Sequence, residues 1–340
     1  MSVRFGIAGF GEALGELVEV AAAAPRFTAD PDRVRGLGYR TFHRAADDVG
    51  LVDLAVAAGR AALTDACVTA ADIDLVVLAV SDIAEYLYWD PAAATQARVG
   101  ASRAEALLLN QACGGGVAAF DVVAGKFAVH PEFETALLIG ANRVCEPYWN
   151  RMEVSNCVFS DGAAAAVLRR EHPRGRWLTS EIITDGRYAD FMRMEIGGAA
   201  HPFGAGTAER VQVKAAADRL REFFEGDPRR MFEFVTVTRD RGREVVERAC
   251  ARAGVAVEAL ARVVGFHDNQ VAIAELAKDL GLPFARTNAA LAMAHGHLGC
   301  ADQLLSLSRH LAEGELVNGD VVALTSTGAG MHWACTLLQI

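Results

Sequence analysis

The chain has 340 residues, a formal net charge of −10 and a hydrophobic content of 52%. This much apolar material can fill the core of one large domain or of two domains of ordinary size. The acidic balance, and the lack of a basic block interleaved with aromatic residues, argue against nucleic acid as a partner.

Neither a membrane span nor a secreted disulfide framework is expected. No uninterrupted apolar run reaches the roughly 18 residues of a transmembrane helix, and Glu12 and Glu16 interrupt the apolar pattern at the N-terminus. The seven cysteines are scattered and odd in number, which favours reduced thiols over disulfides. We therefore expect a cytoplasmic protein without membrane contact.

Strands and helices alternate along the first half of the chain. Short apolar runs indicate buried strands, and apolar residues spaced three and four apart indicate helices. The expected elements are strand 3–8, helix 52–69, strand 75–80, helix 117–129, strand 135–140 and strand 163–168.

Three less regular regions carry residues of interest. The Arg-rich stretch 30–44 reads as a surface loop, either simply solvated or a docking patch for an acidic carrier or a phosphate. Segment 81–91 contains Tyr88 and Trp89, which either pack in the core or line a pocket. Region 173–240 has an expected helix at 208–224. Its Met-rich part, with Met192, is either a cavity wall or a core edge, and His201 either reaches the pocket or is structural.

A cysteine lies where a buried segment gives way to a helix. Residues 110–116 read NQACGGG, after an apolar run and before a helical pattern. The glycines leave the sulfur of Cys113 uncovered, and a helix N-terminus favours the thiolate form of a nearby thiol. Cys113 is therefore a candidate nucleophile, and an inert buried cysteine is the alternative.

The second half of the chain repeats the pattern of the first. Its expected elements are helix 245–254, strand 260–266, helix 301–311, strand 321–324 and strand 332–340. In this alignment His297 is equivalent to Cys113. The separation along the sequence from Cys113 to Leu137, in strand 135–140, equals that from His297 to Val321, in strand 321–324. Two such halves predict two layered α/β sheets related by a pseudo-twofold axis, with Cys113 and His297 facing one cavity.

These motifs together resemble the ketoacyl synthase III family of thiolase-fold condensing enzymes. The resemblance implies an α/β thiolase fold with α-β-α-β-α layers, halves at 1–172 and 173–340, and a variable insertion at about 185–240. The matching segments are 110–116 for the nucleophile turn, 160–165 for a glycine-rich hairpin, 266–270 for a histidine segment, 296–297, and 328–330 for a glycine turn.

The resemblance assigns the family's Cys, His and Asn to Cys113, His267 and His297. In condensing members the His and Asn stabilise the enolate formed by decarboxylation, so His297 departs from the family pattern. Asp302 is expected five residues after His297 on the same helix, about a turn and a half along, and a histidine backed by a carboxylate can act as a general base. This resembles the acyltransferase branch found in antibiotic biosynthesis, which makes no carbon–carbon bond.

Several alternatives stay open at this point. The protein could instead be a decarboxylative condensing enzyme or a non-catalytic partner subunit. His297 could be a core histidine, Asp302 a first-turn helix residue favoured by the macrodipole, and His267 either a residue that polarises the thioester or a remnant.

The resemblance also implies an oxyanion hole and a donor. The N–H groups of Cys113 and Ala329 would hold the oxyanion, and Tyr88, Trp89, Met192 and His201 would contact substrate. No tryptophan lies near 33–40, where family members that use coenzyme A stack its adenine. We therefore favour a phosphopantetheine thioester on an acyl carrier protein over coenzyme A.

Four further expectations concern partners and cofactors. No permanently bound cofactor and no metal is expected, because the histidines and cysteines lack a paired ligand cluster. The family implies a homodimer that pairs through its first sheet, with loop 81–91 near the interface. A small-molecule acceptor would take the acyl group.

Overall fold

The computed structural model describes residues 3–207 and 214–340. The strands are β1 Phe5–Leu14, β2 Glu16–Glu19, β3 Thr41–Arg44, β4 Leu75–Val80, β5 Glu105–Leu109, β6 Thr135–Asn142, β7 Gly162–Arg170, β8 Arg176–Thr184, β9 Arg262–Val264, β10 Val321–Gly328 and β11 His332–Gln339. The helices are α1 Val20–Phe27, α2 Pro31–Gly36, α3 Leu51–Asp65, α4 Pro91–Val99, α5 Gly115–Val129, α6 Ala216–Phe223, α7 Pro228–Ala253, α8 Gln270–Asp279, α9 Ala289–His295 and α10 Asp302–Ala312.

Two mixed sheets share one strand arrangement. The first has the order β1-β7-β6-β4-β5 and the second the order β8-β11-β10-β9. In each sheet a parallel pair, β4 with β6 or β9 with β10, is followed by two antiparallel neighbours. This correspondence confirms the repeat that the sequence predicted. The strands of the first sheet lie before residue 172 and those of the second after it, but the division into two domains stays a prediction.

Helices α5 and α10 form the central layer between the sheets. Helix α5 contacts β4 and β6 on one side and β8 and β11 on the other, while α3 and α7 cover the outer faces. A helix covered on both sides needs an apolar surface all round. This explains why segment Ala112–Val129 has the length and mean hydropathy, 1.4, of a helix able to cross a membrane. The result is the layered α-β-α-β-α architecture that the sequence predicted.

Glycines bring the chain segment after His297 against the helix after Cys113. A β-carbon at Gly116 in α5, or at Gly140 in β6, would overlap the backbone oxygen of Cys300. Both positions therefore need glycine for this close approach. The contact fixes the spacing between the two halves at the point where Cys113 and His297 meet.

The predicted surface loop at 30–44 is wrong, because this stretch forms α2 and β3. The Asp30 side chain caps α2 by accepting from the N–H of Arg33 (3.0 Å), and Pro31 opens the helix. Strand β3 pairs with β2. The four arginines of stretch 30–44 donate hydrogen bonds within the chain. Their acceptors are Met152 O for Arg33, Asp32 for Arg35, Ala290 O for Arg40 and Glu146 for Arg44.

The helix boundaries differ from the prediction mainly in the second half. Helix α7 begins at Pro228, well before the predicted start at residue 245, because Asp227 caps it and proline suits its first turn. Its first half has apolar residues at exposed positions (Phe232, Val235) as well as buried ones (Phe234), so apolar spacing does not mark a single buried face there. Of the predicted helix 208–224, residues 208–213 lie outside the described part, and α6 accounts for Ala216–Phe223.

Replacing Gly116 with alanine tests the close approach of Cys300 to α5. We expect Gly116→Ala to lower the free energy of unfolding by about 1–3 kcal/mol, because the added methyl forces backbone apart. Gly125→Ala in the same helix is the matched control, because a β-carbon there meets no neighbour within 4 Å. That variant should be stabilised by roughly 0.5–1 kcal/mol. Denaturant unfolding measures both, and equal effects would contradict the packing described.

Candidate active site

Cys113 and His297 share the wall of one cavity of about 790 Å³. The cavity lies at the carboxyl ends of the parallel strands β4, β5 and β6, where open α/β sheets bind ligands. Its other walls come from α7, α8 and the glycine turn after β10. A cavity of this size holds a drug-sized molecule.

The turn before α5 holds Cys113 at the cavity wall. Ala112 has a left-handed backbone (φ +47°), which costs energy in a residue other than glycine and marks functional turns. The Cys300 thiol donates to Ala112 O (2.9 Å), and the Ser326 hydroxyl donates to Cys113 O (2.8 Å). The peptides on both sides of the sulfur are therefore held by the second half of the chain.

His297 hydrogen-bonds with both ring nitrogens. Nε2 lies 3.0 Å from Cys113 Sγ, and Nδ1 donates to Asp302 Oδ2 at 2.6 Å. The backbone N–H of His297 donates to Val158 O (2.8 Å), and the Phe159 ring meets the imidazole edge-on at 4.9 Å between centroids. The imidazole is therefore fixed between a thiol and a carboxylate.

Asp302 is fully buried and accepts from three groups. Besides His297, the backbone N–H groups of His267 (2.7 Å, Oδ2) and Leu298 (2.7 Å, Oδ1) donate to it. Burial alone would raise the pKa of Asp302, but the neighbouring histidines and these hydrogen bonds hold that pKa below its ordinary value. The carboxylate is thus charged and satisfied at neutral pH.

The surroundings of His297 favour its charged form. Burial alone lowers the pKa of His297, but the Cys113 thiolate and the Asp302 carboxylate attract the imidazolium and raise this pKa well above its ordinary value. The geometry therefore allows a proton to move between Cys113 Sγ and His297 Nε2.

His267 lies behind this group and does not line the cavity. It is fully buried, its Nδ1 donates to Gly296 O (2.7 Å), and its Nε2 accepts from the Ser306 hydroxyl (2.8 Å). Both nitrogens are therefore occupied, and burial lowers the pKa of the ring. The expected catalytic role for His267 does not fit this position, whereas a structural remnant does.

The two segments expected to form an oxyanion hole lie side by side. Ala329 lines the cavity together with Cys113. A β-carbon at the preceding Gly328 would overlap Gln111 O, so the glycine turn packs directly on the nucleophile turn. The oxyanion role of the Cys113 and Ala329 N–H groups remains a prediction.

Of the four expected substrate contacts, the structure brings only Met192 to the cavity. Tyr88 and His201 are exposed to solvent in the single chain, and Trp89 packs against the cluster formed by α3, α4 and the first sheet. Aromatic content alone does not distinguish a loop surface from a pocket wall, and substrate contact by these residues stays a prediction.

Sequence reasoning did not single out Asp82, Trp149 or Phe234, which are among the residues that line the cavity. Asp82 follows the predicted strand 75–80, and a polar residue at the carboxyl end of a parallel strand is a sequence signal that could have identified it. Trp149 lies in an irregular segment and Phe234 in the first half of α7, and no sequence pattern marks either as a cavity residue. Among the described residues, no group of three or more His, Cys, Asp or Glu side chains could hold a metal ion.

Removing the Cys113 sulfur tests the coupling between Cys113 and His297. Because the thiolate raises the pKa of His297, we expect Cys113→Ala to lower that pKa and the imidazole to lose its proton at a lower pH. Histidine ¹⁵N chemical shifts followed over a pH series measure this. Cys67→Ala, at an exposed cysteine, is the control and should change nothing. An unchanged His297 titration in Cys113→Ala would refute the coupling.

Comparisons with known proteins agree with this architecture. Residues 109–186 match the profile of 3-oxoacyl-[acyl-carrier-protein] synthase III, and residues 250–340 match the profile of its C-terminal part. The beta-ketoacyl-[acyl-carrier-protein] synthase III of Rhodospirillum centenum is 31% identical over 322 residues, which cover 92% of this chain and 91% of that protein.

Solved structures share the fold along nearly the whole chain. The 3-oxoacyl-(acyl carrier protein) synthase III FabH of Pseudomonas aeruginosa PAO1 aligns with a TM-score of 0.79 at 25% identity, covering 99% of this chain and 98% of that one. ChlB3, described as an acyltransferase, aligns with a TM-score of 0.86 at 22% identity, with coverages of 99% and 98%. The chain therefore belongs to the 3-oxoacyl-[acyl-carrier-protein] synthase III family and has its thiolase fold.

Proposed function

We propose that this protein is an acyltransferase that makes no carbon–carbon bond. It moves an acyl group from a phosphopantetheine thioester to Cys113, and then to a hydroxyl, an amine or a second carrier thiol. The observation that carries the proposal is His297, which stands where the family has asparagine and lies 3.0 Å from Cys113 Sγ with Asp302 behind it.

In the first half-reaction Cys113 becomes acylated. His297 Nε2 takes the thiol proton, and the thiolate attacks the thioester carbonyl carbon. The N–H groups of Cys113 and Ala329 hold the resulting oxyanion. The tetrahedral intermediate collapses, the carbon–sulfur bond to pantetheine breaks, and the leaving thiolate takes the proton back from Nε2.

In the second half-reaction the acceptor replaces the sulfur. His297 Nε2 takes the proton of the acceptor O–H, N–H or S–H as that atom attacks the acyl carbon. Collapse breaks the bond to Cys113 and leaves a thiolate beside the imidazolium. Asp302 keeps Nδ1 protonated, so that Nε2 points at the sulfur, and stabilises the positive ring.

The position of His267 supports transfer over decarboxylative condensation. A condensing enzyme of this family needs two free donors for the enolate oxygen, from its His and its Asn. Here both nitrogens of His267 are used by Gly296 O and Ser306, away from the cavity. His267 therefore offers no spare donor to an enolate oxygen in the cavity, although condensation remains the second candidate.

A carrier-bound donor is part of the proposal. Tyr39, the aromatic residue nearest to the expected adenine position, is buried and donates its hydroxyl to His267 O (2.7 Å), so it is not free to stack on a base. The curated relatives are named for their acyl carrier protein, which supports the same partner.

A homodimer completes the proposal. Strand β5 lies at the edge of the first sheet, with Leu108 exposed, and the neighbouring loop exposes Tyr86, Leu87 and Tyr88. An open edge strand with apolar side chains is suited to pairing with a second chain. The small-molecule acceptor would then enter each cavity separately.

Three variants test the roles of the catalytic groups. Each protein is mixed with acylated carrier protein, and the adduct on Cys113 is followed by intact-protein mass spectrometry. Cys113→Ala should form no adduct. His297→Ala should slow both half-reactions by about 10²–10⁴-fold, the usual contribution of a general base. Asp302→Asn should acylate at a reduced rate, because its imidazole is less well oriented.

A matched carboxyl-to-amide change provides the control. Asp48 is exposed and does not line the cavity, so Asp48→Asn should keep wild-type rates. Full turnover by Asp302→Asn would show that Asp302 has no triad role. A wild-type protein that forms no adduct with any acyl donor would be a non-catalytic partner subunit instead.

A further inference from the structure

A carboxyl group on the wall of the catalytic cavity has no place in the mechanism above. Asp82 lines the cavity together with Cys113 and is partly buried. We propose that Asp82 determines specificity, by selecting an acyl group or an acceptor that carries a hydroxyl or amino group. This inference rests on the proposed acyl transfer through Cys113.

The sheet topology places Asp82 next to the reaction centre. Strand β4 ends at Val80 and pairs in parallel with β5, which leads to Cys113, and with β6, which leads to Cys145. The carboxyl ends of parallel strands meet at one edge of a sheet. The residues that follow these strands therefore surround one space, and among those that line the cavity Asp82 carries a carboxyl group.

The carboxyl group is held in place by three N–H donors. Oδ1 accepts from the backbone of Ile83 (2.7 Å) and from the indole of Trp149 (3.1 Å), and Oδ2 accepts from the backbone of Cys145 (3.1 Å). Within residues 3–207 and 214–340, Asp82 forms no ion pair with a lysine or arginine. A carboxylate has about four acceptor positions, so one remains for a ligand.

Trp149 fixes this arrangement from the other side. The guanidinium of Arg219 lies over the Trp149 ring, 5.2 Å from its centroid. Trp149 therefore has a defined plane, and its N–H points to Asp82. A carboxyl group supported in this way by a packed indole is rigid, which suits the recognition of one particular polar group.

An alkyl chain in this cavity would displace water from Asp82 without offering a hydrogen bond in its place. Burial of a polar group without a hydrogen-bond partner is unfavourable, whereas a ligand O–H or N–H restores the bond. A hydrogen bond to a charged group corresponds to a preference of about 10- to 100-fold. Burial also raises the pKa of Asp82 to about 7, so the group can accept or donate near neutral pH.

The test compares donors and acceptors that differ by one hydroxyl. For the acyl group, Cys113 acylation by 3-hydroxybutyryl-pantetheine is compared with acylation by butyryl-pantetheine. For the acceptor, an isolated acetyl-enzyme is discharged by 2-mercaptoethanol or by ethanethiol. We expect the wild type to prefer the hydroxylated partner by about 10-fold or more in one of the two steps. The step that shows the preference identifies whether Asp82 recognises the acyl group or the acceptor.

Variants separate recognition from a purely structural role. Asp82→Ala should lose the preference, while a structural role would slow both partners equally and leave their ratio unchanged. If Asp82→Ala does not fold, Trp149→Phe replaces it as the test. This variant keeps an aromatic ring but removes the N–H donor to Asp82, and should weaken the preference for the hydroxylated partner. Asp48→Asn, outside the cavity, should keep the wild-type ratio.

The outcomes distinguish this inference from the proposed function. Adducts on Cys113 with no preference in either step, or with a preference that Asp82→Ala retains, would overturn the role of Asp82 and leave acyl transfer intact. Failure of every donor to acylate Cys113 would overturn the proposed function, and the specificity role with it.

Discussion

The buried carboxylate of Asp302 is the constraint on which the site depends. It accepts from the His297 ring and from the backbone of His267 and Leu298, so it joins the segment after β9 to the segment after α9. A buried charge is tolerated only when it is paired and hydrogen-bonded in this way. The same bonds that make the carboxylate stable also aim His297 Nε2 at Cys113. Stability and chemistry therefore rest on one set of contacts.

Close backbone packing also fixes the distance between the two halves of the chain. The Cys300 backbone fits against Gly116 and Gly140, and its thiol donates to Ala112 O beside the nucleophile. Packed interiors do not deform continuously, so these contacts hold sulfur and imidazole in register. In the proposed acyl transfer, His297 acts at the family's asparagine position within this same packed framework. The fold positions the pair, and the side chains determine what the pair does.

The sequence allowed prediction of the fold, and of the pairing of Cys113 with His297, because both follow from repetition. Strand length, apolar spacing and glycine turns recur in both halves, and a pseudo-twofold axis makes equivalent positions face each other. The polar helix α2 and the first half of α7 were missed because their signals are caps, at Asp30 and Asp227, and not apolar periodicity. The cavity wall was predicted poorly, since Trp89 packs in a core cluster while Trp149 lines the cavity. Which aromatic residue meets a ligand depends on tertiary contacts that no local pattern encodes.

The central claim is that Cys113 and His297 transfer an acyl group without decarboxylation. The most direct measurement supplies the isolated acyl-Cys113 protein with a malonyl thioester labelled in its free carboxyl carbon, alongside an acceptor thiol. The account predicts an acylated thiol, regenerated Cys113 and no labelled carbon dioxide. Release of labelled carbon dioxide in step with a 3-ketoacyl product would contradict it and identify the protein as a condensing enzyme.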